Sequence, residues 1–219
     1  MSATAPRPIA VMRALLSAAA AAAILSATPA AAQGGCGGVQ RASPPGWHRS
    51  YLPPLAIGDS TMLLALPSLA SEGFEVNAHG CRQFSEALTL MDGLSHEHLL
   101  PHLVVIALGA DGSVTASDIR QTIQVLGRGR VLFLVTPREL GGGSGSDATV
   151  VRDEGRWRRP QVHVLDWVSY SQGHGSWFQP DGLHLTFPGA DAFTRLLGRA
   201  RKFQVAPVKR RPPPAAKRP

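Results

Sequence analysis

Residues Leu103 to Leu108 read LVVIAL, an apolar run with no polar interruption. A half-buried strand alternates polar and apolar residues, whereas an unbroken run of this length is expected of a strand buried on both faces. Such a strand needs cover on each side, and the chain supplies it. Further short apolar segments stand at Leu55-Ala56-Ile57, Phe74 to Asn77, Val131 to Val135 and Val162 to Leu165. Between them lie stretches with helical spacing: Thr61 to Ser71, Gln83 to Leu99, Ser117 to Leu126 with Ser117 as its N-cap, and Asp147 to Trp157. Gly189 to Arg201 forms the last helix. Strands that alternate with helices give a parallel sheet covered on both faces. Right-handed crossovers then make a three-layer α/β/α sandwich of about five parallel strands.

That architecture says where chemistry belongs. In such sheets ligands bind outside the carboxyl ends of the strands. Gly58-Asp59-Ser60, His79-Gly80, Gly109-Ala110-Asp111-Gly112 and Thr136-Pro137 all fall at those ends. Ser60 sits between a strand and a helix N-terminus, where a backbone N–H and the helix dipole favour negative charge on a reacting oxygen. Asp181-Gly182-Leu183-His184 offers a carboxylate and an imidazole three residues apart, a spacing that lets the first orient the second. The imidazole would take the Ser60 proton and return it to a leaving group. Each short pattern taken alone has a plain structural reading: Ser60 as a helix cap and Asp181 as a turn carboxylate.

The ends of the chain differ in kind from its centre. Arg7 and Arg13 precede an apolar run, Ala14 to Ile24, and Ala30-Ala31-Ala32 fits a small-x-small cleavage rule. Residues 1–32 are therefore expected to be a secretory signal peptide, the alternative being an uncleaved anchor. Residues 33–54, rich in Gly, Pro and Ser, read as an N-terminal arm, residues 55–203 as the folded domain, and residues 204–219 as a disordered, basic, Pro-rich tail. The formal net charge of +7 comes from the two ends; residues 33–208 carry 15 basic and 15 acidic side chains. A neutral body gives no ground for a folded nucleic-acid-binding surface. The tail is expected to make, at most, electrostatic contact with an anionic cell envelope. Cys36 and Cys81 are the only cysteines. In an exported protein they are expected to form a disulfide worth about 3–4 kcal/mol; in the other reading they are free thiols. No cysteine or histidine cluster has zinc spacing, and no metal or cofactor is expected.

The order of these segments resembles the SGNH (GDSL-like) hydrolase superfamily. Ile57-Gly58-Asp59-Ser60 is similar to its first block, and Gly80 in His79-Gly80-Cys81-Arg82-Gln83 to its second-block glycine. Gly109-Ala110-Asp111-Gly112 falls where the third block, Gly-x-Asn, should be, and Asp181-Gly182-Leu183-His184-Leu185-Thr186 is similar to the fifth. The wording is closest to the SGNH domains of cell-wall and polysaccharide O-acetyltransferases and covers about residues 55 to 200. The resemblance implies a flavodoxin-like SGNH fold, metal-free ester chemistry and a Ser60–His184–Asp181 set. The oxyanion hole would use the Ser60 and Gly80 amides plus the third-block side chain. Together with the leader, it points to an exported esterase or O-acyltransferase acting on short acyl esters, such as an acetylated cell-wall glycan; the protein is expected to be a monomer.

One position departs from the pattern. Asp111 stands where the family has Asn. An amide donates a hydrogen bond to an oxyanion; an ionised carboxylate does not, and losing one such donor costs about 2.7–4 kcal/mol in the transition state. Three outcomes stay open: slow catalysis with two backbone donors, catalysis with Asp111 protonated, or a weakened module that binds cell-surface glycan without turnover. Arg82 is read as organising the loop after the second strand or as touching substrate. Trp177 and Phe178, just ahead of Asp181, either line the acyl or sugar pocket or pack the loop. His96, His98 and His102 are read as surface or capping residues and His174 as a solvated one.

Overall fold

The computed structural model describes residues 36–46 and 52–203. The expected leader and tail, residues 1–32 and 204–219, lie outside those residues. Six strands form one sheet: β1 (Gln40–Ala42), β2 (Leu55–Gly58), β3 (Glu75–Ala78), β4 (Leu103–Ala107), β5 (Val131–Val135) and β6 (Val162–Leu165). The spatial order is β1-β3-β2-β4-β5-β6. Strands β2 to β6 run parallel, and β1 pairs antiparallel with β3, Gln40 opposite Ala78.

The five expected strands are all present, but five is an undercount. The sixth comes from the segment read as an arm. Its sequence, Gln-Arg-Ala, has no apolar pattern, and its residues are exposed or only half-buried. It is held by backbone pairing, which leaves no periodic trace in the side chains.

Strand β4 behaves as its composition demands. Val105 and Ala107 enter one core with Met62, Leu69, Phe74, Phe133, Phe193 and Leu197. Val104 and Ile106 enter the other with Ile57, Met91, Ile119, Leu126 and Leu134. Alternate residues of one strand thus feed two cores, one under each helical layer.

Helix boundaries shift for identifiable reasons. The segment after Ser60 is not one helix: a 3-10 turn, Ser60–Ala65, leads into α1 (Leu66–Ser71). Pro67 stands at the start of α1, where its missing N–H is harmless; inside a continuous helix it would remove a hydrogen bond. Helix α2 spans Phe84–His96. Helix α3 spans Ala116–Leu126, and its cap is Thr115 rather than Ser117: Thr115 Oγ1 accepts from the Asp118 N–H at 3.1 Å. The Asp118 carboxylate accepts from the Thr115 N–H in return, completing a capping box. Helix α4 (Ser146–Trp157) and the single turn α5 (Trp167–Tyr170) follow. The last helix, α6 (Phe187–Gly198), begins two residues before the expected glycine because Thr186 caps it. None of the described helices is long and apolar enough to cross a membrane.

Candidate active site

The site forms at the carboxyl edge of the sheet. Strand β2 ends at Gly58, where an added methyl group would lie 2.6 Å from the Met62 Cβ, so the turn closes only over a glycine. The next residue, Asp59, is buried and acts as a clamp. Its Oδ1 accepts from the Thr61 N–H at 3.0 Å and the Thr61 hydroxyl at 2.7 Å. Its Oδ2 accepts from the Ala110 N–H at 3.1 Å, joining the β2 turn to the turn after β4. Burial pushes the Asp59 carboxyl above its ordinary pKa, against the opposing pull of those donors.

Ser60 is lifted out of the strand end by this clamp, and its hydroxyl oxygen lies 3.0 Å from His184 Nε2. On the far side of the ring, His184 Nδ1 lies 2.6 Å from Asp181 Oδ2. With the proton on Nδ1 donating to the carboxylate, the Nε2 lone pair faces the Ser60 hydroxyl. Asp181 Oδ1 accepts from the backbone N–H groups of Leu183 at 2.9 Å and His184 at 3.0 Å. Partial burial pushes the Asp181 carboxyl up, but these donors and the imidazole outweigh it, and its pKa lies below the ordinary value.

The loop carrying Asp181 and His184 is braced on both sides. The Gln179 N–H donates to the His184 carbonyl at 2.8 Å, and the Thr186 N–H to the Trp177 carbonyl at 3.0 Å. From the turn after β5, the Gly141 N–H donates to the Asp181 carbonyl at 2.7 Å. Arg138 Nε donates to the Gly182 carbonyl at 3.2 Å, Nη1 donates to Ser171 Oγ at 3.0 Å, and the guanidinium lies 4.0 Å from the centre of the Phe178 ring. Arg138 was not singled out from the sequence. It immediately follows Thr136-Pro137, so the strand-edge rule extended by one residue points to it.

Asp111 reaches the site. Ser60 Oγ lies 3.4 Å from its Oδ2. Gln83 holds the turn beneath it, donating from Nε2 to the Asp111 carbonyl at 2.6 Å. Gly80 closes β3 and is buried against the carbonyl of Cys36. Arg82 is buried too, and its guanidinium donates to the Gly58 and Asn77 carbonyls and to Asn77 Oδ1. It organises the loop after β3, and its guanidinium is committed to these oxygens rather than to a substrate.

Phe178 is buried under Arg138. Trp177 is half-buried and lies between the Trp167 ring, 5.8 Å away, and His174, 3.9 Å away. His174, read as solvated, is exposed yet stacked. These rings pack the loop. Beside them runs an open polar groove of about 690 Å³, lined by Arg138, Ser144, Ser171, Gln172, His174 and Phe178 among others. Cys36 and Cys81 form a disulfide with their Cα atoms 5.2 Å apart. Among the described residues, no three His, Cys, Asp or Glu side chains gather as a metal-ligand set.

No protein-family model matches the chain. Curated relatives do. The chain is 30% identical over 145 residues to the peptidoglycan O-acetyltransferase OatA of Listeria monocytogenes, covering 65% of this chain and 23% of that protein. It is 31% identical over 152 residues to the putative peptidoglycan O-acetyltransferase YrhL of Bacillus subtilis, covering 68% of this chain and 23% of that one. The chain thus spans less than a quarter of the length of these relatives. Among solved structures, the C-terminal catalytic domain of Streptococcus pneumoniae peptidoglycan O-acetyltransferase A matches with a TM-score of 0.60 at 23% identity, over 70% of this chain and 94% of that domain. The family 3 carbohydrate esterase of Clostridium thermocellum matches with a TM-score of 0.51 at 13% identity, over 69% of this chain and 96% of that one. The chain thus has the α/β fold of the SGNH (GDSL-like) hydrolases, and its curated homologues are peptidoglycan O-acetyltransferases.

Proposed function

We propose that the chain is an exported serine esterase or O-acyltransferase that acts on short acyl esters of cell-wall glycan, with Ser60 as nucleophile. The observation that carries this reading is the Ser60–His184–Asp181 relay, with contacts of 3.0 Å and 2.6 Å. Its placement at the carboxyl edge of the sheet and the O-acetyltransferase relatives support it.

In this mechanism Ser60 Oγ attacks the acyl carbonyl while His184 Nε2 takes the hydroxyl proton. Asp181 stabilises the imidazolium and fixes its orientation. The carbonyl oxygen gathers negative charge opposite the Ser60 and Gly80 N–H groups. The tetrahedral intermediate collapses, the C–O bond to the alcohol breaks, and His184 returns the proton to the departing oxygen. Water or a sugar hydroxyl then gives a proton to His184 and attacks the acyl carbon; the bond to Ser60 Oγ breaks, and His184 returns the proton to Ser60. Water releases the free acid; a sugar hydroxyl carries the acyl group away. The open polar groove beside the His184 loop suits a hydrated glycan better than a lipid chain. The protein works as a monomer outside the cytoplasm, and its basic tail adds weak attraction to an anionic envelope.

A second reading, a weakened module that holds glycan, draws on the Asp111 carboxylate 3.4 Å from Ser60 Oγ. One experiment separates the two. A fluorophosphonate probe should label Ser60, and p-nitrophenyl acetate turnover should vanish in Ser60→Ala. Equal rates in wild type and variant would sink the esterase reading, and retention on acetylated glycan without turnover would favour the second.

A further inference from the structure

We infer that the Cys36–Cys81 disulfide is a positioning device for the acyl-transfer site, latching the N-terminal segment over Gly80 so that the Gly80 N–H stays aimed at the oxyanion. The inference rests on the reading of Gly80 as an oxyanion donor. It adds Cys36 and Cys81, which touch no substrate, to the residues that set the rate.

The turn from Ala78 to Arg82 is gripped from two sides. Below, the buried Arg82 guanidinium ties it to the Gly58 and Asn77 carbonyls, hence to the base of the Ser60 turn. Above, the N-terminal segment lies directly on it. A methyl group added to Gly80 would sit 2.5 Å from the Cys36 carbonyl oxygen, so the two backbones touch. His79 Nε2 lies 3.0 Å from the Gly37 carbonyl, and His79 Nδ1 lies 3.4 Å from Glu86. Cys81, next to Gly80, holds a left-handed φ of 57°, a conformation that non-glycine residues keep only when their surroundings impose it. The disulfide is the covalent part of those surroundings.

Besides the disulfide, the upper grip consists of the His79–Gly37 contact and the short pairing of β1 with β3. Strand β1 is three residues long, at the sheet edge and largely exposed. So short a strand has little stability of its own. With the disulfide open, the segment is free to leave the turn, and Gly80 loses the surface against which its backbone is set. The N–H then points less well at a charge that exists only in the transition state. Loss of such a contact lowers kcat and leaves KM unchanged. A disulfide that merely stabilised the fold would leave kcat intact in protein that remains folded.

The test uses the full chain, p-nitrophenyl acetate and dithiothreitol. Both cysteines are exposed, so the reductant reaches them. Dithiothreitol gives two electrons and two protons to the disulfide, leaving two thiols and its own cyclic disulfide. The expected result is a fall in kcat of about tenfold to a hundredfold, with KM and circular dichroism unchanged and full recovery on reoxidation. Cys36→Ser/Cys81→Ser should show the same lowered kcat and ignore the reductant. Hydrogen exchange should quicken in the peptide covering Ala78 to Gln83 while β2 and β4 stay protected. Unchanged kcat in folded, reduced protein overturns the inference. So does loss of turnover that only tracks loss of fold. If the oxidised wild type shows no Ser60-dependent turnover, the esterase reading fails by itself, and exchange alone then judges the latch: unchanged protection at Ala78 to Gln83 overturns it.

Discussion

Arg138 Nε donates to the Gly182 carbonyl across 3.2 Å, so the turn after β5 supports the loop that holds Asp181 and His184. The brace is part of a set. The same guanidinium reaches Ser171 and lies on the Phe178 ring, and Gly141 donates to the Asp181 carbonyl next door. Removing it leaves Ser60, His184 and Asp181 present but allows the loop to move. A displacement of about 1 Å at a catalytic group costs on the order of a hundredfold in rate. Arg138→Ala is therefore expected to lower kcat for p-nitrophenyl acetate by about tenfold to a hundredfold. Arg138→Lys should recover little, because an ammonium cannot reproduce the planar fork. Steady-state kinetics beside a fluorophosphonate labelling rate checks both; unchanged rates would remove Arg138 from the support of the site.

Asp111 gives a prediction of opposite sign. Its carboxylate stands 3.4 Å from Ser60 Oγ, where it accepts from the hydroxyl in competition with His184 and faces the developing oxyanion. An amide there would supply a donor instead. Asp111→Asn is expected to raise kcat, by as much as about a hundredfold if the amide takes up the full role of an oxyanion donor. Gln83 Nε2 donates to the backbone carbonyl of Asp111, not to its side chain, so the turn should keep its shape. A lower rate in Asp111→Asn would show that the carboxylate serves the chemistry as it stands.

Gly182 is fixed by close approach and by conformation together. Its φ is 71°, and a Cβ there would lie 2.8 Å from the Gly141 carbonyl carbon and the Gly142 nitrogen. Both atoms are backbone and cannot step aside. Gly182→Ala is expected to lower stability by about 1–3 kcal/mol and to lower kcat as well, since the loop must part from its brace. Thermal melts and kinetics on the same preparation check this; an active, equally stable variant would mean that the two loops separate freely.

Much of this site was legible in the sequence because its residues lie in short segments whose placement follows from topology. Ser60, Asp181 and His184 come together once strands and helices alternate and the strand ends converge. What escaped is of two kinds, features with no local signal and features whose signal is a single residue. Strand β1 is held by backbone pairing and a covalent link, so Gln40-Arg41-Ala42 looks like any polar loop. Arg138 and Asp59 act through groups distant in sequence, Gly182 and Ala110, and no spacing rule connects them. The break between the 3-10 turn and α1 could have been read from Pro67, and the Thr115 cap from Asp118 three residues later. Arg82 was divided between a loop role and a substrate role, and only its burial decides between them.

Asp166 ties stability to pH. It follows β6 and accepts from both Nε and Nη2 of Arg152 at 2.9 Å, from Thr136 Oγ1, and from the N–H and hydroxyl of Ser169. Partial burial pushes its carboxyl up, but Arg152 and the other donors outweigh that and lower its pKa to about 2. A carboxyl held below its unfolded value stabilises the folded state above that value and loses the contribution as pH falls through the folded one. The contribution is therefore complete above about pH 4 and fades between about pH 4 and pH 2. Both side chains are about one-third exposed, so solvent screening limits the gain to about 1–2 kcal/mol. Asp166→Asn should lose that amount at pH 7 and show a shallower decline in stability below pH 4. Urea midpoints at pH 7, 4 and 3 for both proteins read it directly; parallel curves would mean that Asp166 adds nothing to the acid sensitivity of the fold.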